Sequence, residues 1–268
     1  EEEESNGLGA SLEAGQEQTQ QEPLDIVGAV LLDQDGIRVT TTEWKEEGWF
    51  GSVIGVRIEN DTDRTIMLQA ADVSINGAMV TASFYSEVEA RMQADGEIAF
   101  YTDDFTRAGI DTIRTIELKI VVYDNETWET IVESKPVTVK TNAALGRQTF
   151  DDKGYLALDQ DGLRLVVRGE EENIWDKGIS VYLENHTGRD ITLQVQDVKV
   201  NGVSVNPFFI CNIVDGKVAY TSITFMNEDL SANGIDEFQT MEFTLFVYDI
   251  DSWSSMYESY PVSLTFPL

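Results

Sequence analysis

Two short acidic runs, Asp33-x-Asp35-Gly36 and Asp159-x-Asp161-Gly162, come nearest to metal-ligand spacing in this chain. Alternate carboxylates ahead of a glycine form the first half of an EF-hand loop, and hard oxygen ligands are what calcium takes. The later acids of such a loop are missing, since Val39 and Thr41 follow in the first run and Leu165 and Val167 in the second. Asp-Gly also suits a tight hairpin turn, which is the favoured reading, with calcium as the alternative. Nucleophilic and acid-base chemistry have less to work with. His186, the only histidine, sits in a Glu-Asn-His-Thr-Gly turn, and Cys211, the only cysteine, reads as a small buried thiol. One histidine does not build the usual histidine metal sites, and the pair carries no nucleophile-base signature. Asp103-Asp104 and Glu228-Asp229 are adjacent carboxylates, but 49 acidic residues guarantee such neighbours by chance. Glycine-rich phosphate loops do not occur. The chain therefore reads as a non-enzyme with no catalytic residue, no cofactor and no assigned metal ligand.

Aromatic residues carry more. Met241, Phe243, Leu245 and Val247 alternate as the core side of one strand, which turns Phe246 and Tyr248 to the other side; Tyr123 is out of phase in the same way with Ile116, Leu118, Ile120 and Val122. Each tyrosine precedes a short turn that ends in Trp128 or Trp253. A polar-edged aromatic platform can stack on sugar rings or anchor a protein. Tyr248, Phe246, Trp253, Tyr123 and Trp128 are thus the candidate partner-binding residues. The competing expectation is that Trp128 and Trp253 fold back and cap the core. A second aromatic group, Trp44, Trp49 and Phe50 against Trp175, marks another loop suited to binding.

The elements that position these residues come from a duplication. Glu59-Asn60, Thr62, Arg64, Leu68-Gln69, Asp72-Val73 and Asn76-Gly77 return as Glu184-Asn185, Thr187, Arg189, Leu193-Gln194, Asp197-Val198 and Asn201-Gly202, at a constant offset of 125 positions. Tyr123-Asp124, Trp128 and Pro136 return at the same offset as Tyr248-Asp249, Trp253 and Pro261. A period this long matches a whole small domain. Within each copy the hydrophobic period is two: Ile54, Val56 and Ile58 then Ile66, Leu68 and Ala70 in the first, Ile179, Val181 and Leu183 then Ile191, Leu193 and Val195 in the second, where Ser180, Tyr182 and Glu184 fall on the solvent side. Asp35-Gly36, Asp161-Gly162, Asn76-Gly77, Asn201-Gly202, Asp95-Gly96 and Asp215-Gly216 predict tight turns. Pro136 and Pro261 open last strands, and Asp103 to Gly109 and Asn227 to Gly234 predict single helical turns. The expected fold is all-β: two tandem immunoglobulin-like antiparallel β-sandwich domains, 25–141 and 150–268, joined by a linker at 142–149. Residues 1–24, with acids, Gln, Ser and Gly, read as a flexible spacer. Asn60, Asn125 and Asn185 head Asn-x-Thr patterns, for which a turn role is favoured over sugars.

The formal charge is -31, close to -12 for each copy and -7 for the first 24 residues. Such a field repels phosphate backbones and anionic headgroups, which excludes nucleic acid as the expected partner. No apolar run is long enough to span a bilayer, and no charged start with an apolar run after it heads the sequence. A lone cysteine leaves the redox compartment open.

The Asp-Gly-Ile/Leu-Arg opening, the Ile/Leu-Glu-Asn-x-Thr strand end, the Asp-Val-x-x-Asn-Gly hairpin and the Tyr-Asp-x-x-x-Trp close resemble the immunoglobulin-like tandem repeats of secreted and surface lipoproteins of Gram-positive bacteria. The resemblance covers about Gly28 to Phe266. It implies an extracellular or cell-envelope module for adhesion, partner binding or spacing, with a lipid anchor upstream and the acidic segment between anchor and domains. The lipid-bearing cysteine of that arrangement is absent from this sequence. A carbohydrate- or calcium-binding accessory protein is the alternative, so the partners in view are a protein or a glycan.

Overall fold

The computed structural model describes residues 24–46, 51–143, 146–257 and 260–268. Glu1 to Pro23 of the spacer expected over residues 1–24, and Trp49 and Phe50 of the aromatic loop, lie outside the described residues. Repeat 1 contains β1 (Val30–Gln34), β2 (Ile37–Lys45), β3 (Val53–Asn60), β4 (Ile66–Ile75), β5 (Ala78–Met79), β6 (Ala82–Ser83), β7 (Tyr85–Val88), β8 (Gln93–Phe100), α1 (Thr102–Ala108), β9 (Thr115–Asp124), β10 (Thr130–Glu133) and β11 (Val137–Lys140). Repeat 2 contains β12 (Tyr155–Gln160), β13 (Leu163–Glu172), β14 (Asp176–Asn185), β15 (Ile191–Val200), β16 (Val203–Ser204), β17 (Ile210–Ile213), β18 (Val218–Met226), α2 (Asn227–Ala232), β19 (Thr240–Asp249) and β20 (Tyr260–Thr265).

Each repeat is an immunoglobulin-like antiparallel sandwich. One layer orders β1-β2-β3-β8 in repeat 1 and β12-β13-β14-β18 in repeat 2; the other sets β9 beside β4, and β19 between β15 and β20. The alternation read from sequence places the core as expected: Ile54, Val56 and Ile58 face Ile66, Leu68 and the inward side of β9, and Ile179, Val181 and Leu183 face Ile191, Leu193 and β19, all of them buried. Turn chemistry sets the hairpins. Asp35 and Gly36 have φ of 52° and 79°, and Asp161 and Gly162 have 54° and 82°, the two positive angles of a type I′ turn. Asn76-Gly77 and Asn201-Gly202 behave alike, and each asparagine Oδ1 accepts the next strand's backbone, from Arg114 and Thr115 N–H or from Gln239 and Thr240 N–H.

Two expectations are corrected. Asp95-Gly96 is not a turn but lies inside β8, where Gly96 pairs with Val56 and Asp95 with Arg57. Tight packing explains the glycine: a Cβ there would meet the Phe84 ring at 3.2 Å. The preceding turn instead uses Arg91, at φ 62°. The second correction is Tyr182, expected on a solvent face and found 2% exposed. The outer face of β13, β14 and β18 is covered, and Val166, Tyr182, Val218 and Tyr220 belong to the same buried cluster as the core of repeat 1. Tyr182 and Tyr220 rings lie 5.0 Å apart, and Phe150, just after the connector, packs on Tyr220 at 6.4 Å. Backbone crosses the junction as well. Val218 pairs in parallel with Ala78, with its N–H donating to Gly77 O at 3.0 Å, and this joins strands of both repeats into one ten-stranded sheet. Lys217 Nζ reaches Glu117 Oε1 at 2.6 Å beside it.

Candidate partner-binding face

The repeated motifs converge at one pole of each sandwich. Asn60 and Asn185 are fully buried. Asn60 Nδ2 donates to the carbonyls of Arg64 and Val88, and Asn185 Nδ2 to those of Arg189 and Ile213. Each Oδ1 accepts from the N–H and hydroxyl of the threonine two residues on. A buried amide held this way organises the turn and is not presented for glycosylation. The arginine whose carbonyl is thus fixed then reaches across the pole: Arg64 Nη1 donates to Asp124 Oδ2, and Arg189 Nη1 to Asp249 Oδ2, both at 3.1 Å.

These aspartates build the turns that present the tryptophans. Asp124 Oδ1 accepts the N–H of Glu126 and Thr127, and Asp249 Oδ1 accepts the N–H and hydroxyl of Ser252. Those donors, with the arginines, hold both carboxyls below the usual aspartate range. Trp128 N–H donates to Asp124 O and Trp253 N–H to Asp249 O, each at 2.9 Å. This closure places Trp128 at φ 61° and Trp253 at φ 55°. A left-handed backbone costs an L-residue about 1–2 kcal/mol, and for a bulky side chain it is a conformational outlier. Neither ring recovers that cost by burial, because Trp128 is 62% and Trp253 57% exposed. Neither folds back over its sandwich.

In repeat 2 the exposed ring continues into a strip. Tyr248 lies 6.4 Å from Trp253, centroid to centroid, and Phe246 lies 6.3 Å from Tyr248 with the two planes 11° apart. Both are half-buried residues on the outer side of β19. Register sets their neighbours: Phe246 opposes Gln194, which opposes Ile210 on β17, and Tyr248 opposes Thr192, which opposes Asn212. Thr192 Oγ1 donates to Asn212 Oδ1 at 2.8 Å. None of these four neighbours stood among the sequence-predicted residues. Their positions follow from pairing between strands distant in sequence, and no single-strand period reports that.

Repeat 1 does not assemble the same surface. Tyr123 and Trp128 stand at the equivalent places, but Val121 replaces Phe246 and is buried. Further along that face Lys119 Nζ meets Asp72 Oδ2 at 2.7 Å and Glu133 Oε1 at 3.3 Å. Burial works against the Lys119 charge, yet its hydrogen bond to Asp72 and the two carboxylates raise its pKa on balance.

The remaining candidates have structural places. Asp103-Asp104 and Glu228-Asp229 occupy the first turns of α1 and α2, where negative charge meets the helix dipole. His186 is exposed and its N–H donates to Gly162 O at 2.7 Å. Tyr260 OH donates to Asp161 Oδ2 at 2.7 Å, and Asp33 lies 3.8 Å from Arg38. Among the described residues no group of three or more His, Cys, Asp or Glu side chains is placed to hold a metal ion. Trp175 is 70% exposed at a hairpin tip fixed by Asn173, and Trp44 stacks on Phe100 at 5.9 Å within repeat 1. A cleft of about 410 Å³ between the repeats is lined by Ala70, Val80, Arg107, Cys211 and Tyr220. Burial pushes the Cys211 thiol up to about 12, so it is not a thiolate at neutral pH.

No family model and no curated protein matches this chain. Solved structures similar to it include the YadV chaperone, at 10% identity over 78% of this chain and 91% of that one, with a TM-score of 0.26. The complex of the Salmonella enterica SafA pilin with the SafB chaperone is also similar, at 15% identity over 80% of this chain and 89% of that one, with a TM-score of 0.20. No helix among the described residues is long and apolar enough to cross a membrane.

Proposed function

We propose that this chain is a non-enzymatic cell-envelope module that binds a partner through Phe246, Tyr248 and Trp253 on repeat 2. The observation that carries the reading is Trp253 itself, an exposed tryptophan held at positive φ where glycine or asparagine would close the turn without strain. Few clustered aromatics dominate binding energies, and this strip has the contiguity such an anchor needs. Location at the surface of a Gram-positive-type bacterium, with the acidic segment as a spacer from an upstream lipid anchor, rests on the motif resemblance. In this proposal the repeats over 25–141 and 150–268 are structural units, and the residues at 142–149 join them.

Co-sedimentation with isolated bacterial envelopes tests the reading. The wild-type chain should pellet, and Tyr248→Ala and Trp253→Gly should stay in the supernatant. Undiminished pelleting of both variants would exclude the strip as the binding face.

A further inference from the structure

We infer that the ligand of this strip is a neutral polysaccharide chain; the inference rests on the strip being the binding face. From Gln196 to the pole, the outward residues of β15 are Thr192, Gln194 and Gln196, those of β19 are Thr244, Phe246 and Tyr248, and those of β17 are Ile210 and Asn212. No charged side chain stands among them, although a quarter of the chain is charged. The equivalent rows of repeat 1 carry Lys119 and Glu87 where these carry Thr244 and Asn212. Two charged positions of the repeat 1 rows are thus a hydroxyl and an amide here.

What the face offers is complementary to sugar. Aromatic planes take the C–H faces of pyranose rings, and two nearly parallel rings with a third tilted beside them line one contiguous track. Gln194, Gln196 and Asn212 flank that track. Each primary amide has both donors and an acceptor, which matches hydroxyl groups that also do both. Ser252 and Ser254 add hydroxyls beside Trp253, already in contact with each other at 2.8 Å. A protein partner of so acidic a chain would be steered by its own basic groups toward carboxylates, and the rows beside Phe246 and Tyr248 carry none.

Affinity gel electrophoresis with neutral soluble polysaccharides, among them a cellulose ether, a mixed-linkage β-glucan and a mannan, tests the inference, with polygalacturonate as an anionic control. At least one neutral polymer should retard the full chain, and about 0.5 M salt should leave that retardation in place, since a neutral polymer brings no charge to screen. Tyr248→Ala and Trp253→Gly should each weaken it roughly tenfold or more, the loss expected for one stacking ring, and Trp128→Gly should not. Trp253→Gly suits the positive φ of its turn, so lost binding with an unchanged melting curve reports on the ring. If no neutral polymer retards the wild type, while strip-dependent envelope binding persists and is abolished by protease treatment of the envelopes, the ligand is a protein: the inference fails and the reading beneath it stands. If envelope binding is indifferent to the strip, both fail.

Discussion

Where repeat 1 pairs Arg57 with Asp95 at 2.8 Å in solvent, repeat 2 sets Tyr182 against Tyr220 under its neighbour. The positions are equivalent by the 125-residue offset and both pairs join a central strand to the next, so the scaffold asks nothing different of them. The difference lies in what covers the sheet. An exposed ion pair keeps its water and contributes little, whereas the tyrosines are buried against repeat 1 and find partners for their hydroxyls in Glu184 Oε1 and Asp151 O. The same duplicated fold has therefore been divided: one outer sheet face became a junction and another an aromatic strip, while the counterpart of the junction face keeps a solvated ion pair.

The sharpest way to break this comparison is at the junction. Tyr220→Ala should cost about 3 kcal/mol, as other large aromatic truncations do, while Arg57→Ala or Asp95→Ala should leave the denaturation midpoint nearly unmoved. Equal effects from both would mean that the junction is not a packed interface.

At the poles the repeats should instead behave alike. Asn60→Ala and Asn185→Ala each strand buried backbone carbonyls, and each should cost about 2 kcal/mol. Chemical denaturation of the two variants checks the symmetry; a large cost in one and none in the other would show that the equivalent hydrogen bonds are not equivalent in energy.

A smaller effect separates the repeats by pH. Burial raises the Tyr220 pKa to about 12 and raises that of Tyr182 as well, with the Glu184 carboxylate adding to the latter. Unfolded tyrosines ionise near 10, so stability from these two is complete below that pH and is lost as pH climbs from there through the folded values. Tyr182→Phe with Tyr220→Phe should flatten the alkaline fall in melting temperature; an unchanged fall would show that the junction tyrosines do not set it.

Much of the architecture was legible from residues alone. The period of two, the Asn-Gly and Asp-Gly turns and the duplicated register were each set by local chemistry, and Tyr248, Phe246 and Trp253 could be named because their phase opposes a clear core. Asp95-Gly96 misled because glycine serves close packing as readily as a turn, and which of these applies depends on Phe84. Tyr182 misled because period two says which side of a strand a residue occupies, not what lies against that side. Gln194, Asn212 and Ile210 needed the pairing of β15 with β17 and β19, a long-range register that local pattern does not encode.

The smallest stability effect is expected at the tryptophans. Replacing Trp253 or Trp128 with glycine relieves the positive φ, so each variant should be unchanged or more stable by up to about 1 kcal/mol. A marked loss of stability would show that the rings hold the fold and would remove the reason for reading Trp253 as a binding residue.

The most direct measurement of the division between repeats is envelope co-sedimentation of Trp128→Gly beside Trp253→Gly in the full chain. The account predicts that the Trp128 variant pellets like the wild type and the Trp253 variant does not. Equal loss from both, or loss from the Trp128 variant alone, would contradict it.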